Sequence, residues 1–233
     1  MYPWLDRSGQ LSWLKLSVFV GILLPGLWAA YIWALAPAPV PGALGSSAMP
    51  VTAALHLIGL WSVRFLLITL AITPLRKYSG LHWILRFRRM LGLFAFAYGV
   101  MHLTTYIWLD QFFDWPAIVR DIYKRPFITV GFAALVLMAP LAFTSNSLAI
   151  RQLGGRRWQA LHRAIYPISL LGCLHFWWLV KKDITAPLIY TLITVALLGL
   201  RAWWREQERR KQLAGGYLPK QRLNGKIIKI VAK

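Results

Sequence analysis

Six long apolar segments alternate with short polar connections along the 233 residues of the chain. Each segment has 17 to 22 residues, close to the roughly 20 residues that an α-helix needs to cross about 30 Å of hydrocarbon. The pattern predicts an all-α, polytopic membrane protein with six transmembrane helices. The segments are 14–35, 51–72, 90–109, 127–143, 161–180 and 184–204.

The charged residues of the connections are distributed unevenly. The connection after the second segment is basic and holds Arg76, Lys77, Arg86, Arg88 and Arg89. The region around the connection after the fourth segment is also basic, with Arg151, Arg156, Arg157 and Arg163. The first connection, 36–50, carries no charge, and the third balances three basic against three acidic residues. Because basic connections stay in the cytoplasm, both termini are predicted to be cytoplasmic.

The net charge of +20 follows this membrane pattern and continues into the C-terminal end. We therefore predict a membrane domain at 1–204 and a basic cytoplasmic tail at 205–233, which contacts lipid headgroups or a partner rather than nucleic acid. The first segment is interpreted as an uncleaved helix, because Trp28, Tyr31 and Trp33 mark an outer membrane boundary.

Three histidines, His102, His162 and His175, lie in or at the ends of apolar segments that contain no Asp or Glu. A lone imidazole in hydrocarbon needs a partner, which is either a neighbouring polar group or a metal cofactor. At about 1.5 Å per residue, His102 lies about 18 Å and His175 about 20 Å above the cytoplasmic edge. Because His102 and His175 lie at equal depth on separate helices, we predict that they bind the same iron atom.

His162 lies at the cytoplasmic edge, too far below His175 to share a metal with it. On an ideal helix the thirteen residue steps from His162 to His175 would set the two rings about 140° apart. We expect a kink at Pro167 to turn both toward the interior. The single cysteine, Cys173, excludes the C-x-x-C-H attachment of c-type haem, so that any haem is held noncovalently.

Two further residues are candidates for the same cofactor chemistry. His56 opens the second segment near the outer face, where it either assists the outer haem site or bonds water at the interface. Arg64 is a cation in an apolar segment and needs an anion, such as a haem propionate, a quinone or a flavin. Its alternative is to extend its side chain to the cytoplasmic surface.

The sequence resembles the MsrQ (YedZ) family, which belongs to the ferric-reductase-like transmembrane group. Six stretches carry the resemblance: Ile72-Thr73-Pro74-Leu75, Arg88-Arg89-Met90-Leu91-Gly92, His102-Leu103-Thr104-Thr105-Tyr106, Leu141-Ala142-Phe143-Thr144-Ser145, Arg157-Trp158-Gln159-Ala160-Leu161-His162, and His175. They extend from the second to the fifth segment in order.

The resemblance implies a b-type cytochrome of the bacterial inner membrane. Such a protein carries one or two haems b and FMN, and it passes electrons to a periplasmic, molybdopterin-dependent methionine sulfoxide reductase (MsrP-like). It is the electron-transfer subunit of an oxidoreductase system. The family's haem histidines fall on His102, His162 and His175. The wider group has a further histidine where this chain has Arg88 and Arg89, which we expect to hold the propionates or phosphate of an inner cofactor.

Other functions remain as alternatives. Gly215 and Gly216 stand alone, so the sequence lacks a dinucleotide-binding turn, and electrons are expected from quinol or a separate cytoplasmic flavin reductase. A ferric-reductase-like or other quinol-linked haem carrier with a different partner is one alternative. A haemless transporter or membrane anchor is another, although a transporter would usually place carboxylates at the bilayer midplane.

Overall fold

The computed structural model describes residues 12–35, 49–180 and 183–214, and the backbone of two short strands at 221–223 and 226–228. Its helices are α1 (Trp13–Leu35), α2 (Pro50–Ser79), α3 (Leu85–Thr105), α4 (Trp115–Lys124), α5 (Pro126–Phe143), α6 (Ser147–His162), α7 (Ile165–Leu179) and α8 (Thr185–Ala214). A 3₁₀ turn at His82–Ile84 precedes α3, and a π-helical turn at Tyr106–Asp110 extends it. Most of the predicted first connection, residues 181–182 and most of the tail beyond Ala214, including Gly215 and Gly216, lie outside the described residues.

Among the residues that the structure describes, five helices are long and apolar enough to cross a membrane: Trp13–Leu35, Pro50–Ser79, His82–Asp110, Pro126–Phe143 and Thr185–Leu213. Apart from Ile184 at the start of the last one, they cover five of the six predicted segments, which confirms a helical, polytopic membrane protein. The predicted segment 161–180 differs. Its helix α7 has 15 residues and is therefore about 22 Å long, shorter than the about 30 Å hydrocarbon layer.

The prediction that His162 and His175 share one kinked helix was wrong. His162 ends α6, and the chain turns before α7 begins at Ile165. Three backbone bonds at this turn join residues three apart, among them Tyr166 N–H to Arg163 O at 3.1 Å. Pro167 has no N–H with which to bond the carbonyl of Arg163, so the regular hydrogen-bond ladder is interrupted at this turn. The proline instead lies in the first turn of α7.

The chain divides into two compact units, 1–194 and 195–233. In the first unit α2 packs against α1 and α3, while α5 packs against α7. In the second unit the strands β1 (Gln221–Leu223) and β2 (Lys226–Ile228) pair antiparallel. The all-α prediction did not include these two strands.

The hydroxyl of Tyr98 fixes α3 to α1. It donates a hydrogen bond to Ile22 O at 2.6 Å and accepts one from Gly26 N–H at 2.9 Å. These two backbone groups would bond each other in a regular helix, so the hydroxyl is inserted into the ladder of α1. Tyr98 is 2% exposed and packs edge-on against Phe65 of α2. Tyr98 thus joins α1, α2 and α3 at one point of the core.

Candidate cofactor site

A cavity of about 540 Å³ lies among α2, α3, α4, α5 and α7, entirely within the first unit. Its volume is within the range of about 300–1,000 Å³ that is usual for small-molecule and cofactor sites. Apolar side chains form most of the lining. The titratable groups that interrupt it are the three histidines and a few residues near α4, namely His56, His102, His175, Tyr106, Asp110 and Arg125.

His102 reaches this cavity from α3 with a defined ring orientation. Its Nδ1 lies 3.0 Å from the backbone carbonyl oxygen of Leu55 in α2. A carbonyl oxygen only accepts hydrogen bonds, so Nδ1 carries the proton and Nε2 keeps a free lone pair. Histidines that bind metals commonly donate their second nitrogen to a backbone carbonyl in this way.

His175 repeats the arrangement from the other side of the cavity. It extends from α7, and its Nδ1 lies 2.7 Å from the backbone carbonyl oxygen of Phe127 in α5. The same reasoning assigns the proton to Nδ1 and the lone pair to Nε2. Each histidine is therefore held by the carbonyl of a neighbouring helix in the tautomer that suits a metal ligand.

The centres of the two rings lie at a distance suited to a shared metal. Their centres are 6.2 Å apart and their planes are inclined by 82°. A metal bound by one nitrogen of each ring at about 2.0–2.1 Å requires ring centres about 6 Å apart. The structure thus brings together the two histidines that the sequence pairs by depth.

The donor set suits haem better than a bare metal ion. Within the described residues, no three His, Cys, Asp or Glu side chains are arranged to hold a metal. A bare ion such as zinc usually takes three or four protein ligands, whereas a haem iron needs only axial ligands from the protein. Two neighbouring imidazoles and a large, mostly apolar cavity therefore fit haem, the cofactor that the sequence implies.

His56 lines the same cavity, and its Nδ1 is buried without a hydrogen-bond partner in the structure. It lies near enough to His102 and His175 to interact with both electrostatically. An unsatisfied buried polar atom costs about 1–3 kcal/mol, so an acceptor on a bound ligand or water would be favourable here. This position agrees with the expected role of His56 beside the outer site.

A polar cluster that the sequence analysis missed adjoins the cavity. Asp121 of α4 accepts a hydrogen bond from Tyr106 Oη at 3.0 Å and lies 3.1 Å from Arg125 Nε. Tyr106 and Arg125 line the cavity. The signal was present in the sequence, because Asp114 followed by Trp115-Pro116 is a helix start, and Asp121 and Arg125 are spaced for a helical ion pair.

His162 lies outside the lining of the cavity and is bonded differently. Its Nδ1 is 3.1 Å from Trp158 O, and its Nε2 is 3.4 Å from Ser145 Oγ. The ring stacks on Trp158, with centres 3.9 Å apart. The charge of Arg88 also acts on this ring. Arg88 and Arg89 are themselves exposed.

Arg64 is not among the residues that line the cavity. Its Nε donates a hydrogen bond to Tyr190 Oη at 2.7 Å, and its guanidinium carbon lies 4.7 Å from the centre of the Trp61 ring. The sequence analysis expected an anion or the cytoplasmic surface at this cation. In the described part of the chain its contacts are instead a hydroxyl and an aromatic face.

Similarity to known proteins shows the family of this chain. Residues 58–173 match the family described as ferric reductase like transmembrane component. The protein-methionine-sulfoxide reductase heme-binding subunit MsrQ of Azospira oryzae is 52% identical over 202 residues, covering 86% of this chain and 81% of the relative. The chain belongs to the MsrQ family. The MsrQ proteins of Herminiimonas arsenicoxydans (45% over 207 residues, 88% of this chain and 91% of the relative) and Xanthomonas campestris pv. campestris (49% over 196 residues, 84% and 88%) are also similar.

Membership in the MsrQ family confirms the resemblance noted in the sequence. The ferric-reductase match contains His102 and His162 and ends two residues before His175. No solved structure matches the chain significantly.

Proposed function

We propose that this chain is the b-type cytochrome of a protein-methionine-sulfoxide reductase system in the bacterial inner membrane. It passes electrons outward to a periplasmic, MsrP-like molybdopterin reductase that repairs oxidised proteins. Its relatives are named as heme-binding subunits of such systems. The observation that carries the proposal is the pair His102 and His175, whose ring centres lie 6.2 Å apart in the lining of a mostly apolar cavity.

His102 and His175 are the proposed haem ligands. A haem bound there would supply an iron that gains and loses one electron at a time. The chain would contribute the two Nε2 lone pairs, and the Leu55 and Phe127 carbonyls hold both rings in place. Two protein nitrogens on the iron would suit electron transfer rather than binding of a substrate there. We assign His56 the role of a hydrogen-bond donor to an anionic group of the same cofactor.

His162, Arg88 and Arg89 are the proposed entry point for electrons, which holds either a second haem or FMN. The charge of Arg88 near His162 and the stacked Trp158 support this role, because a guanidinium binds propionate or phosphate and an aromatic ring packs on a planar cofactor. For His162 to ligate iron, its Nε2 must give up the contact with Ser145. Electrons reach this point from quinol or a cytoplasmic flavin reductase.

Arg64 is retained as a proposed anion contact. A quinone, flavin or propionate would have to join or replace Tyr190 at the guanidinium.

The proposed topology has six membrane crossings and both termini in the cytoplasm. It places the basic connections inside, and the arginines of α6 agree with this, since Arg151, Arg156 and Arg157 are exposed. Since α3 and α7 then both run outward, His102 and His175 lie in the outer half of the membrane. An electron received near His162 moves from there toward the periplasmic side.

The test uses the purified protein in lipid vesicles together with its periplasmic reductase and an oxidised protein substrate. The reduced protein should show the absorption spectrum of reduced b-type haem. This spectrum should change to that of the oxidised haem only when both the reductase and the methionine-sulfoxide protein are added. The His102→Ala variant is the control and should show no such change. A colourless protein would favour a transporter or anchor. A reduced haem that the reductase cannot oxidise would favour a ferric-reductase-like carrier with another partner.

A further inference from the structure

A glycine lies directly behind the ring of each proposed haem ligand. A Cβ atom placed on Gly59 of α2 would be 2.9 Å from both Nδ1 and Cε1 of His102. A Cβ atom on Gly131 of α5 would be 2.7 Å from Nδ1 and 2.8 Å from Cε1 of His175. These distances are shorter than any normal contact of a Cβ atom. The rings can therefore occupy their positions only because both residues are glycine.

The two glycines have the same relation to the carbonyls that hold the histidines. Gly59 follows Leu55 by four residues, and Gly131 follows Phe127 by four residues. In an α-helix each Cα–Cβ bond tilts toward the N-terminus, so a side chain covers the turn that precedes it. A glycine at this position leaves the carbonyl four residues earlier uncovered. Its second lone pair is then open to a donor from a neighbouring helix.

We propose that Gly59 and Gly131 are positioning residues that orient the two haem-ligating histidines. This inference rests on the proposed function of His102 and His175. Each glycine gives the ring space and exposes the carbonyl that accepts its Nδ1 proton. A methyl group at either position would push the ring off the carbonyl and toward the cavity. The Nδ1 bond would be lost, and with it the fixed tautomer and the added basicity of Nε2.

Two other glycines serve as matched controls. Gly92 lies in α3, and a Cβ atom there would meet Thr69 Cγ2 at 3.7 Å, an ordinary contact. Gly26 lies in α1, and a Cβ atom there would be 3.1 Å from Tyr98 Oη, a tight contact away from the cavity. Gly92→Ala thus controls for the substitution itself, and Gly26→Ala controls for general packing strain.

The experiment compares full-length Gly59→Ala, Gly131→Ala, Gly92→Ala and Gly26→Ala after reconstitution with haem. Haem affinity, midpoint potential and the low-spin signature of the iron are measured in each. We expect Gly59→Ala and Gly131→Ala to bind haem about 10- to 100-fold more weakly, as is usual when the partner of a metal ligand is lost. Their remaining haem should show a shifted potential and a weakened low-spin signature. Gly92→Ala and Gly26→Ala should keep the affinity, potential and signature.

Unchanged affinity, potential and spin state in both Gly59→Ala and Gly131→Ala would overturn the inference. An equal loss in Gly26→Ala would also overturn it, because general strain would then explain the result. If either cavity variant fails to fold, the other decides, since the two sites lie on different helices. These outcomes differ from failure of the proposed function, in which the unsubstituted protein itself binds no haem.

Discussion

His102 and His175 extend from different helices, α3 and α7, and their ring centres lie 6.2 Å apart across the cavity. The Nδ1 of each ring donates a hydrogen bond to a backbone carbonyl of another helix. Four helices together therefore set the distance between the two rings. Asp110 and the half-buried His56 line the same cavity. With the proton of each ring on Nδ1, both Nε2 lone pairs are available to a metal.

Replacing either residue of this pair should remove the haem. We expect His102→Ala and His175→Ala to lose most or all of the reduced b-type absorption band, because iron with one axial nitrogen is poorly held in an apolar cavity. Haem per protein, measured in the purified variants, checks the result. His82→Ala is the control, since His82 is exposed in the 3₁₀ turn before α3. Full haem content in both cavity variants would refute the ligand assignment.

The depth of His102 and His175 in the membrane could be predicted because it depends on two regular quantities. Apolar segments have ends that the sequence marks, and a helix rises by about 1.5 Å per residue. The direction in which a side chain points around its helix depends on helix packing. Packing in turn depends on contacts between residues that are far apart in the sequence. The depth of His102 and His175 was therefore predicted, whereas their carbonyl partners and the glycines behind them were not.

The position of His162 shows how one proline changes such a prediction. The sequence analysis used Pro167 as a kink inside a long helix. In the structure α6 ends at His162, α7 begins at Ile165, and Pro167 lies in the first turn of α7. The predicted angle of about 140° between the two rings assumed one ideal helix, and the break between α6 and α7 removes that assumption. Apolarity alone could not distinguish these cases, because 161–180 is apolar in both.

Tyr98→Phe should destabilise the protein without removing haem. The hydroxyl satisfies Ile22 O and Gly26 N–H, and its loss leaves two backbone groups of α1 without that partner. We expect a cost of about 1–3 kcal/mol, measured by thermal unfolding in detergent or lipid. Tyr123→Phe is the control, since Tyr123 is 69% exposed and outside this contact. Equal stability of the two variants would show that the inserted hydroxyl contributes nothing.

The proposed direction of electron flow depends on topology, which reporter fusions can measure. A reporter that is active only outside the cytoplasm should work when fused in the first or third connection. It should fail when fused near Gly80 in the second connection or at the C-terminus, because the basic residues there retain the chain inside. The reverse pattern would place His162 on the periplasmic side and invert the proposed path.

His162→Ala should separate the entry of electrons from the binding of the outer haem. Because His162 lies outside the cavity of His102 and His175, the outer haem should stay bound and dithionite should reduce it normally. Reduction driven by quinol or a flavin reductase should slow, and flavin or second-haem content should fall. Trp158 and Ser145 both contact the His162 ring, so Ser145→Ala, which removes one contact and keeps the imidazole, is the matched control. If His162→Ala keeps its cofactor content and its quinol- or flavin-driven rate, His162 only anchors the end of α6.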